Sequence, residues 1–595
     1  MASSKRTFAL AVVTSLTILS ATAHGQHTIA VGPNVLVSRD GDVAHVESHV
    51  AVSPRNSRNL LGTAITFTSP TVGTETKTYA SFDGGWSWTD TYFPDQRQQG
   101  AWDPQVGFGV TGTAYLVSMV YTNDSAKHDV ISFYRSEDGG RTWSKPLNIG
   151  FNYDRNAIAV DTSSGRFRGR VYVISHGARS GIAGAQLFHS SDDGRTFRGP
   201  VSTLCKSVYY FFALSDGTLW IPCGPGDFMT QGGRPTYYSG TTSSDGGQTV
   251  KTFIGSPIET EEIRSLVPGS LVYAADTTTN FRDRIYALWR QVQSLDNTTR
   301  IVLKYSTDRG RSWSGQRMVA PPKQNGAWQY LPMATVNRHG MLGINWFEAL
   351  PPNFDTSDLF FTASCDGGAT FLPARRVTSQ ASIWDSPQNR AITQIGGVRK
   401  KNEPIFFSAY SRWRWAGEYT GLTADNEGIF HAFWPDARRG AFQLYTSRIS
   451  VERVPINAGP PQNNIETDVD QEVNVEFGPA TTRGQGLDDV IFARLHNTST
   501  KTIWGPFTVR VTAAVSGLEG QPSKTIDPNI IFDPQTRQWS PKATIDYTPA
   551  LRDIPFLAPG TASEAIEWRF HNASRGQLNL ITHVYAGGQS GSTSK

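Results

Sequence analysis

Cysteine, charge and long apolar runs are all scarce in this sequence, and each scarcity excludes a class of protein. Only three of the 595 residues are cysteines, and none has Cys-x-x-Cys or Cys/His ligand spacing, which leaves little support for a zinc or redox site. Cys205 and Cys223 flank one predicted hairpin. A disulfide between them is therefore open in an oxidising compartment, with Cys365 then left unpaired.

Charged residues make up only 18% of the chain, and no long acidic or basic run interrupts it. The net charge of +4 is small for 595 residues, and Lys5 and Arg6 near the N-terminus contribute two of the positive charges. The net charge therefore gives no basis for nucleic-acid binding. Aromatic residues reach 11% and glycines number 56, a composition that argues against disorder and favours an all-β protein rich in turns.

One apolar run stands out, from about Phe8 to Leu19, behind the basic pair at the start of the chain. Small residues follow it. Residues 1–25 therefore have the three-part pattern of a secretory signal, with cleavage after Ala23. An uncleaved membrane anchor is the alternative, although the run is short for a bilayer span. No later run reaches spanning length, and we expect an exported protein, secreted or periplasmic, without a membrane span.

What the chain has in quantity is one octet, Ser-x-Asp-x-Gly-x-(Ser/Thr)-aromatic, of which one copy ends in Val250 instead. The six copies are "SFDGGWSW", "SEDGGRTW", "SSDDGRTF", "SSDGGQTV", "STDRGRSW" and "SCDGGATF", with central aspartates Asp83, Asp138, Asp192, Asp245, Asp308 and Asp366. Successive aspartates are 53 to 63 residues apart, a period that indicates repeated supersecondary units stacked on one another.

Each octet follows an alternating run such as "DVISFYRS", which places it in a hairpin loop. Its aspartate is expected to accept hydrogen bonds from backbone N–H groups a few residues on, and its final aromatic residue to pack into the core between units. The octets are therefore predicted to be structural rather than catalytic.

Upstream of each octet lies a pair of predicted strands joined by a small turn, and a seventh such hairpin, "EYTGLTADNEGIFHAFWPD", follows the last octet. Four strands per unit around a central axis describe a β-propeller, which we assign to residues 27–453. Seven blades are preferred and six are the alternative. The early segment "HTIAVGPNVLVSRD" is predicted to supply the missing strand of the last blade.

A stretch rich in proline, glycine and asparagine at 454–472 is typical of a linker. Roughly seven short strands follow within 473–590 and predict a C-terminal immunoglobulin-like β-sandwich. We expect this domain to be an accessory packing or spacing module, with carbohydrate binding as the alternative.

The octets resemble the Asp-box of the sialidase-like (BNR repeat) propellers, over residues 27–453. The resemblance implies that the boxes face one side of the ring and the ligand site the other, at the mouth of the central channel. It also implies a tyrosine nucleophile, a glutamate base, an aspartate acid and three arginines that clamp the sugar carboxylate. The segment "EYTGLTADNEGIFHAFW" is similar to the last-blade strand that bears this tyrosine, which gives the role to Tyr419 with Glu418 beside it.

Polar residues at the ends of the seven hairpins form the candidate site. At the starts of first strands stand Glu47, Asp103, Asp154, Arg155, Arg264, Tyr330, Glu418 and Tyr419, and at the far ends of second strands stand His176, Arg290, Glu348, Asp436 and Arg438. For any one of them the alternative is that it caps a strand and bonds to a neighbouring blade. The candidate catalytic residues are Tyr419, Glu418, Asp103 and Glu47, and the candidate substrate-binding residues are Arg264, Arg290, Arg155, Asp154, Arg438 and Trp415.

The chain departs from the sialidase pattern at the arginine clamp. The family's first arginine stands in an Arg-Ile-Pro stretch, where this chain has "HVESHVAVSP" with Glu47. The other two arginines have no motif here, and Arg290 and Arg264 are the best positional candidates. The sequence therefore predicts glycan handling without predicting specificity for sialic acid.

Two other groupings of these residues remain open. The first is an acidic ring formed by Glu47, Asp103, Asp154 and Glu418. The oxygens of such a ring suit Ca²⁺, and the alternative is that the ring is solvated and holds no ion. No other cofactor is expected. Trp413 and Trp415, with Tyr419, either stack on a sugar or pack in the core.

Three functions follow as hypotheses. The first is an exported sialidase-like glycoside hydrolase acting on a glycan or glycoconjugate. The second is a non-catalytic propeller that binds glycan or protein through the same face. The third is a glycosidase or lyase with paired carboxylates at the separations such enzymes need. We expect a monomer.

Overall fold

The computed structural model describes most of the chain, and every structural statement below concerns the described part. The described residues are 26–69, 73–121, 129–151, 154–176, 184–205, 207–223, 229–230, 234–235, 237–257, 271–293, 297–352, 354–395, 405–412, 415–454, 467–478, 481–483, 488–501, 503–505, 507–515, 524–526, 531–533, 538–540, 544–551, 556–571 and 578–586. The predicted signal at 1–25 lies outside them. Among the described residues, no helix has both the length and the hydropathy to cross a bilayer.

These residues are almost all β-strand, as the composition predicts. The helices are short: Pro94–Gln99, Pro387–Arg390, Ala409–Arg412 and the 3-10 turn Thr548–Leu551. Two strand pairs stand outside the larger sheets of the N-terminal part, Met229–Thr230 with Arg234–Pro235 and Ile392–Ile395 with Ile405–Ser408.

Residues 26–454 build seven antiparallel sheets, here numbered 1 to 7 in chain order of their first strands. Sheets 5 and 6 are joined by one parallel pair, Thr299 with Trp328. Sheet 1 is His45–Ser53, Asn56–Ser69, Gly73–Ser81, Thr89–Thr91; sheet 2 is Ala101–Phe108, Ala114–Val120, Val130–Ser136, Leu147–Phe151; sheet 3 is Asp154–Val160, Val171–His176, Ala185–Ser190, Arg198–Ser202; sheet 4 is Phe212–Ala213, Leu219–Pro222, Tyr237–Ser243, Lys251–Pro257; sheet 5 is Val272–Asp276, Arg284–Val292, Thr299–Ser306, Arg317–Met318; sheet 6 is Trp328–Val336, Leu342–Ala349, Thr356–Ser364, with Arg375–Arg376 and Ser382–Ile383; sheet 7 is Gly421–Ala424, Phe430–Asp436, Gln443–Val454, Gln26–Val31, with Val35–Leu36.

The first two strands of each sheet are the seven predicted hairpins. The N-terminal strand Gln26–Val31 pairs with Gln443–Val454 in sheet 7, with Val31 opposite Ile449. The predicted pairing of the early segment with the last unit is therefore confirmed.

The first strands of the sheets contact one another in sequence. The first strand of sheet 1 contacts those of sheets 2 and 7, sheet 2 contacts sheet 3, sheet 3 contacts sheet 4, and sheet 6 contacts sheets 5 and 7. Sheets 4 and 5 pack through a shared apolar cluster in which the rings of Trp220 and Tyr273 lie 5.2 Å apart. The series of contacts thus returns to its starting sheet.

All six octets lie in the loop after the third strand of sheets 1 to 6 and share one hydrogen-bond pattern. In the octet of sheet 2, Ser136 Oγ donates to Asp138 Oδ1 at 2.7 Å, the backbone N–H of Thr142 donates to the same oxygen at 2.9 Å, and Thr142 Oγ1 donates to Oδ2 at 2.6 Å. The final residues all pack against buried clusters, namely Trp88, Trp143, Phe197, Val250, Trp313 and Phe371. The predicted hydrogen bonds of the octet aspartates and the predicted packing of the final residues are confirmed by these contacts.

Cys205 and Cys223 form a disulfide, which fixes the one pairing left open by the sequence. Cys365 is a free thiol and is partly buried.

The C-terminal part has a separate apolar core that includes Trp568 and Tyr547. Its larger sheets, here sheets 8 and 9, are Thr467–Asp468, Leu578–Ala586, Phe507–Val515, Lys524–Ile526 with Thr544–Asp546, and Val473–Phe477, Asp488–Asn497, Thr481–Arg483 with Ile566–His571. Two short pairs complete it, Ile503–Trp504 with Phe556–Leu557 and Ile531–Asp533 with Gln538–Ser540.

Candidate functional site

A bulge near the start of the first strand recurs in four sheets. The strand register shifts between Val46 and His49, Trp102 and Gln105, Asp154 and Asn156, and Tyr330 and Met333. At each shift a non-glycine residue has positive φ: 56° at Glu47, 48° at Asp103, 49° at Arg155 and 48° at Leu331. Side chains other than glycine rarely adopt this conformation, and bulges of this kind redirect a side chain beside a functional site.

The bulges lie at the end of each sheet opposite to its octet. In sheet 1, Glu47 is near the start of the first strand, whereas Ser81 of the octet pairs with Leu60, close to the turn that follows Ser53. The site is therefore on the far side from the octets, as the resemblance implies.

Glu47 and Asp103, from neighbouring first strands, form a buried carboxyl pair. They are 4% and 9% exposed, and a hydrogen bond joins the two carboxyl groups. Burial, reinforced by the charge of Asp103, raises the pKa of Glu47 well above its usual range. Burial and the charge of Asp154 raise the pKa of Asp103 to about 6, because the bonds from Arg155 and Glu47 offset only part of the desolvation. Glu47 therefore keeps its proton and donates the hydrogen bond, and Asp103 accepts that bond. We call this pair the carboxyl dyad.

Arg155 lies next to the dyad and is held from several directions. Its backbone N–H donates to Asp103 Oδ2 at 2.9 Å, and its Nη2 donates to Glu418 Oε2 at 2.5 Å. Its guanidinium lies 4.4 Å from the ring centre of Tyr209 and 5.2 Å from that of Tyr419. Burial alone lowers the pKa of Arg155, but the charge of Glu418 beside it raises the pKa above its usual value, so the side chain stays charged.

Tyr419 comes from the segment that leads into sheet 7, where a glycine permits a close approach. The backbone N–H of Glu47 donates to the carbonyl of Ala416 at 2.9 Å, and the N–H of Glu418 donates to Glu47 Oε1 at 3.3 Å. Gly417 has φ 115°, and a Cβ there would lie 2.3 Å from Glu47 Cγ. Any larger residue at 417 would therefore displace the dyad from this segment.

The Tyr419 side chain is 7% exposed and is surrounded by acids. Burial raises its pKa well above 10, and the charges of Glu47 and Asp103 raise it further. The phenol is therefore neutral at rest. It lines a pocket, here the Tyr419 pocket, whose lining residues are His49, Gln105, Arg155, Asn156, Val208, Tyr209, Tyr210, Met333 and Tyr419.

Two of the ten candidate residues named from the sequence, Arg155 and Tyr419, line this pocket. Three more, Glu47, Asp103 and Glu418, interact with these two side chains. Asp154 is adjacent, exposed at the rim, and acts on Asp103 through its charge. Glu418 is also at the rim, with its side chain 56% exposed.

The remaining candidates lie elsewhere or outside the described residues. Arg438 donates to Asp436, Ser379 and Asn34, and thus ties sheet 7 to its neighbour. Trp415 packs against the rings of Trp328, Tyr330 and Trp384, which is the core-packing alternative for this side chain.

Arg290 is half-buried in sheet 5, and burial lowers its pKa. Arg264 and Trp413 lie outside the described residues. Among the residues that the structure describes, Arg155 is the one arginine at Tyr419.

Several pocket residues were not named from the sequence. Tyr209 and Tyr210 precede the two-residue first strand of sheet 4, and the doubled tyrosine in "KSVYYFFA" was the available signal. His49 follows the bulge at Glu47, and burial lowers its pKa to about 4. His176, which was named, accepts at Nε2 from the N–H of Val208 at 3.0 Å, and burial lowers its pKa to about 4 as well.

The calcium alternative finds no support in the described residues, which contain no group of three or more His, Cys, Asp or Glu side chains arranged to hold a metal ion. Three of the four acids of the proposed ring, Glu47, Asp103 and Glu418, instead interact with Arg155, which supplies a positive counter-charge.

Comparisons with known proteins give matches to solved structures alone. No family model matches the chain, and no curated protein matches it. A protein of unknown function from Dyadobacter fermentans is 12% identical with TM-score 0.37, and the match covers 71% of this chain and 99% of that one. The leech intramolecular trans-sialidase is 11% identical with TM-score 0.35, covering 51% and 64%, and Trypanosoma rangeli sialidase is 11% identical with TM-score 0.33, covering 85% and 94%. Because these values are low, we infer neither fold nor function from the matches.

Proposed function

We propose that residues 27–453 form a seven-bladed β-propeller, followed by the linker 454–472 and an immunoglobulin-like β-sandwich at 473–590. Two observations support the propeller: neighbouring sheets that contact in sequence from sheet 1 to sheet 7 and back, and an N-terminal strand that completes sheet 7. The separate apolar core of the C-terminal part supports the second domain.

We infer that this protein is an exported, sialidase-like glycoside hydrolase that acts on glycans at the Tyr419 pocket. The observation that carries the proposal is the carboxyl dyad beside a buried, neutral tyrosine. A carboxyl pair that holds one proton, with one member near pKa 6, takes up and returns a proton readily at neutral pH. Perturbed groups of this kind cluster at active sites.

In the proposed reaction, the phenolic oxygen of Tyr419 attacks the anomeric carbon while the bond from that carbon to the leaving glycosidic oxygen breaks. The phenolic proton passes to the ionised Asp103, and a solvent water at the rim protonates the leaving oxygen and becomes hydroxide. This hydroxide then attacks the anomeric carbon of the glycosyl-tyrosine intermediate, and the bond from that carbon to the phenolic oxygen breaks. The dyad returns its proton to the phenolic oxygen, so that the enzyme regains its starting state.

The third hypothesis, in which the dyad supplies both acid and nucleophile, does not match the geometry. Paired-carboxylate glycosidases keep the two groups about 5 to 9.5 Å apart. Glu47 and Asp103 are hydrogen-bonded to each other, and such a pair titrates as one unit.

The test is Tyr419→Phe, assayed with a panel of aryl glycosides. We expect kcat/KM to fall on the order of a thousandfold or more because the nucleophile is lost, with the melting temperature nearly unchanged. Tyr330→Phe is the matched control, since Tyr330 is another buried tyrosine near the start of a first strand, with its hydroxyl bonded to Ser357. Wild-type activity in Tyr419→Phe would remove this residue from the mechanism.

Non-catalytic binding of glycan or protein is the second candidate. The observation that favours it is the Arg155–Glu418 ion pair. In this pair the positive charge of Arg155 is already neutralised by the Glu418 carboxylate when no ligand is bound. This candidate predicts that the wild type binds a glycan without releasing the aglycone, and that Tyr419→Phe leaves the affinity unchanged.

A further inference from the structure

The charges next to the Tyr419 pocket are mainly negative. Of the described residues that line the pocket, only Arg155 is charged, and its guanidinium interacts with Glu47, Asp103 and Glu418, while Asp154 acts on Asp103. With the proton of the dyad on Glu47, the dyad still carries one negative charge at neutral pH. The charge of Asp154 at the rim adds to it.

The positive charge of Arg155 is already paired with the carboxylate of Glu418. Its Nη2 lies 2.5 Å from Glu418 Oε2, and its guanidinium lies 4.4 Å and 5.2 Å from the ring centres of Tyr209 and Tyr419. The two imidazoles of the pocket region, His49 and His176, add no positive charge at neutral pH because burial lowers the pKa of each to about 4.

The negative dyad would therefore repel an anionic ligand in the pocket. Such a ligand could pair with Arg155 only by displacing Glu418 from it. An uncharged ligand meets no such penalty, and the rings of Tyr209, Tyr210 and Tyr419 offer apolar faces to the C–H groups of a pyranose.

We propose that the sugar residue held at Tyr419 carries no negative charge, so that the substrate class is glycosides of neutral or amino sugars rather than of sialic or uronic acids. This inference rests on the proposed function of the same pocket.

The first experiment compares aryl glycosides of a neutral hexose, an N-acetylhexosamine, a hexosamine, a uronic acid and a sialic acid on the purified full chain. We expect kcat/KM for at least one uncharged or amino sugar to exceed that for both acidic sugars at least a hundredfold. Cleavage of the sialoside or the uronide at a kcat/KM within tenfold of the best substrate would overturn the inference and leave hydrolysis itself established.

The second experiment measures binding and does not depend on turnover. Glu418→Gln frees Arg155, and we expect it to bind free N-acetylneuraminate at least tenfold more tightly than the wild type, by calorimetry. Glu137→Gln is the matched control, because Glu137 also pairs with an arginine, Arg135, but within an octet, at the opposite end of its sheet. It should bind N-acetylneuraminate no more tightly than the wild type.

The binding arm separates the two proposals. Wild-type binding of N-acetylneuraminate as tight as that of Glu418→Gln, or no gain in that variant, overturns the charge inference whether or not any glycoside is cleaved. A gain in Glu418→Gln with no cleavage of any glycoside supports the inference about ligand charge and contradicts hydrolysis.

Discussion

At the scale of single residues, the carboxyl dyad links stability to pH. Burial raises the pKa of Asp103 to about 6 in the folded chain, above its value in the unfolded chain. Between these two values the folded state holds a proton that the unfolded state has lost. The stabilising contribution of Asp103 is therefore fully present below the unfolded pKa and is lost as the pH rises through about 6.

Asp103→Asn removes this titration while keeping the shape of the side chain. We expect the free energy of unfolding of the wild type, taken relative to this variant, to fall on the order of 2 kcal/mol between about pH 4.5 and about pH 7.5. Urea denaturation at a series of pH values measures the difference. A difference that stays constant or rises with pH would show that Asp103 is not held in its protonated form by the fold.

Single residues of the site were predictable where the repeat marks their position. Glu47, Asp103, Arg155 and Tyr419 stand at equivalent starts of hairpins, so their meeting at one rim follows from the repeat. The orientation of each side chain does not follow, because it is set by a bulge, and an extra residue in a strand leaves no periodic signal. In two of the four bulged strands, a proline after the positive-φ residue, as in "DPQ" and "LPM", is the visible mark.

At the scale of elements, each octet is a hairpin loop that is held together by hydrogen bonds among its own residues. Asp138→Ala removes the acceptor for Ser136 Oγ, for Thr142 Oγ1 and for two backbone N–H groups. We expect a loss of about 1–3 kcal/mol in the free energy of unfolding, measured by urea denaturation. Because the octet lies at the opposite end of the sheet from the Tyr419 pocket, kcat/KM should stay within about twofold of the wild type. A folded Asp138→Ala protein with a catalytic defect would contradict the structural assignment.

Elements were predictable to the extent that their contacts are local. All seven hairpins and all six octet loops form where the sequence predicts them, since strand alternation and turn residues act within a few positions of the chain. The first strand of sheet 4 was the weakest case. It is only Phe212–Ala213, and the preceding Tyr209 and Tyr210 belong to the pocket instead of to a ladder.

At the scale of the whole molecule, the two ends of the N-terminal part are joined through sheet 7. Gln26–Val31 is an edge strand held by Gln443–Val454, more than four hundred positions away in the chain. The same strand faces the C-terminal part across a pocket lined among others by Ile29, Ala550 and Phe556. This second contact was beyond sequence reasoning, because the C-terminal part carries no repeat that relates it to the sheets before it.

The C-terminal part also contacts the octet of sheet 1. The Arg494 guanidinium, whose Nη2 lies 2.5 Å from Glu476 Oε2, sits 3.6 Å from the ring centre of the half-buried Trp86. A partly desolvated contact of this kind is worth about 1–2 kcal/mol. We expect Trp86→Ala to separate the unfolding of the C-terminal part from that of the sheets, as a second calorimetric transition several °C lower. Arg141→Ala is the control, since Arg141 stacks on Phe82 between two octets and leaves the C-terminal contact intact. If Trp86→Ala unfolds with the same transitions as this control, the Arg494–Trp86 contact does not couple the two parts.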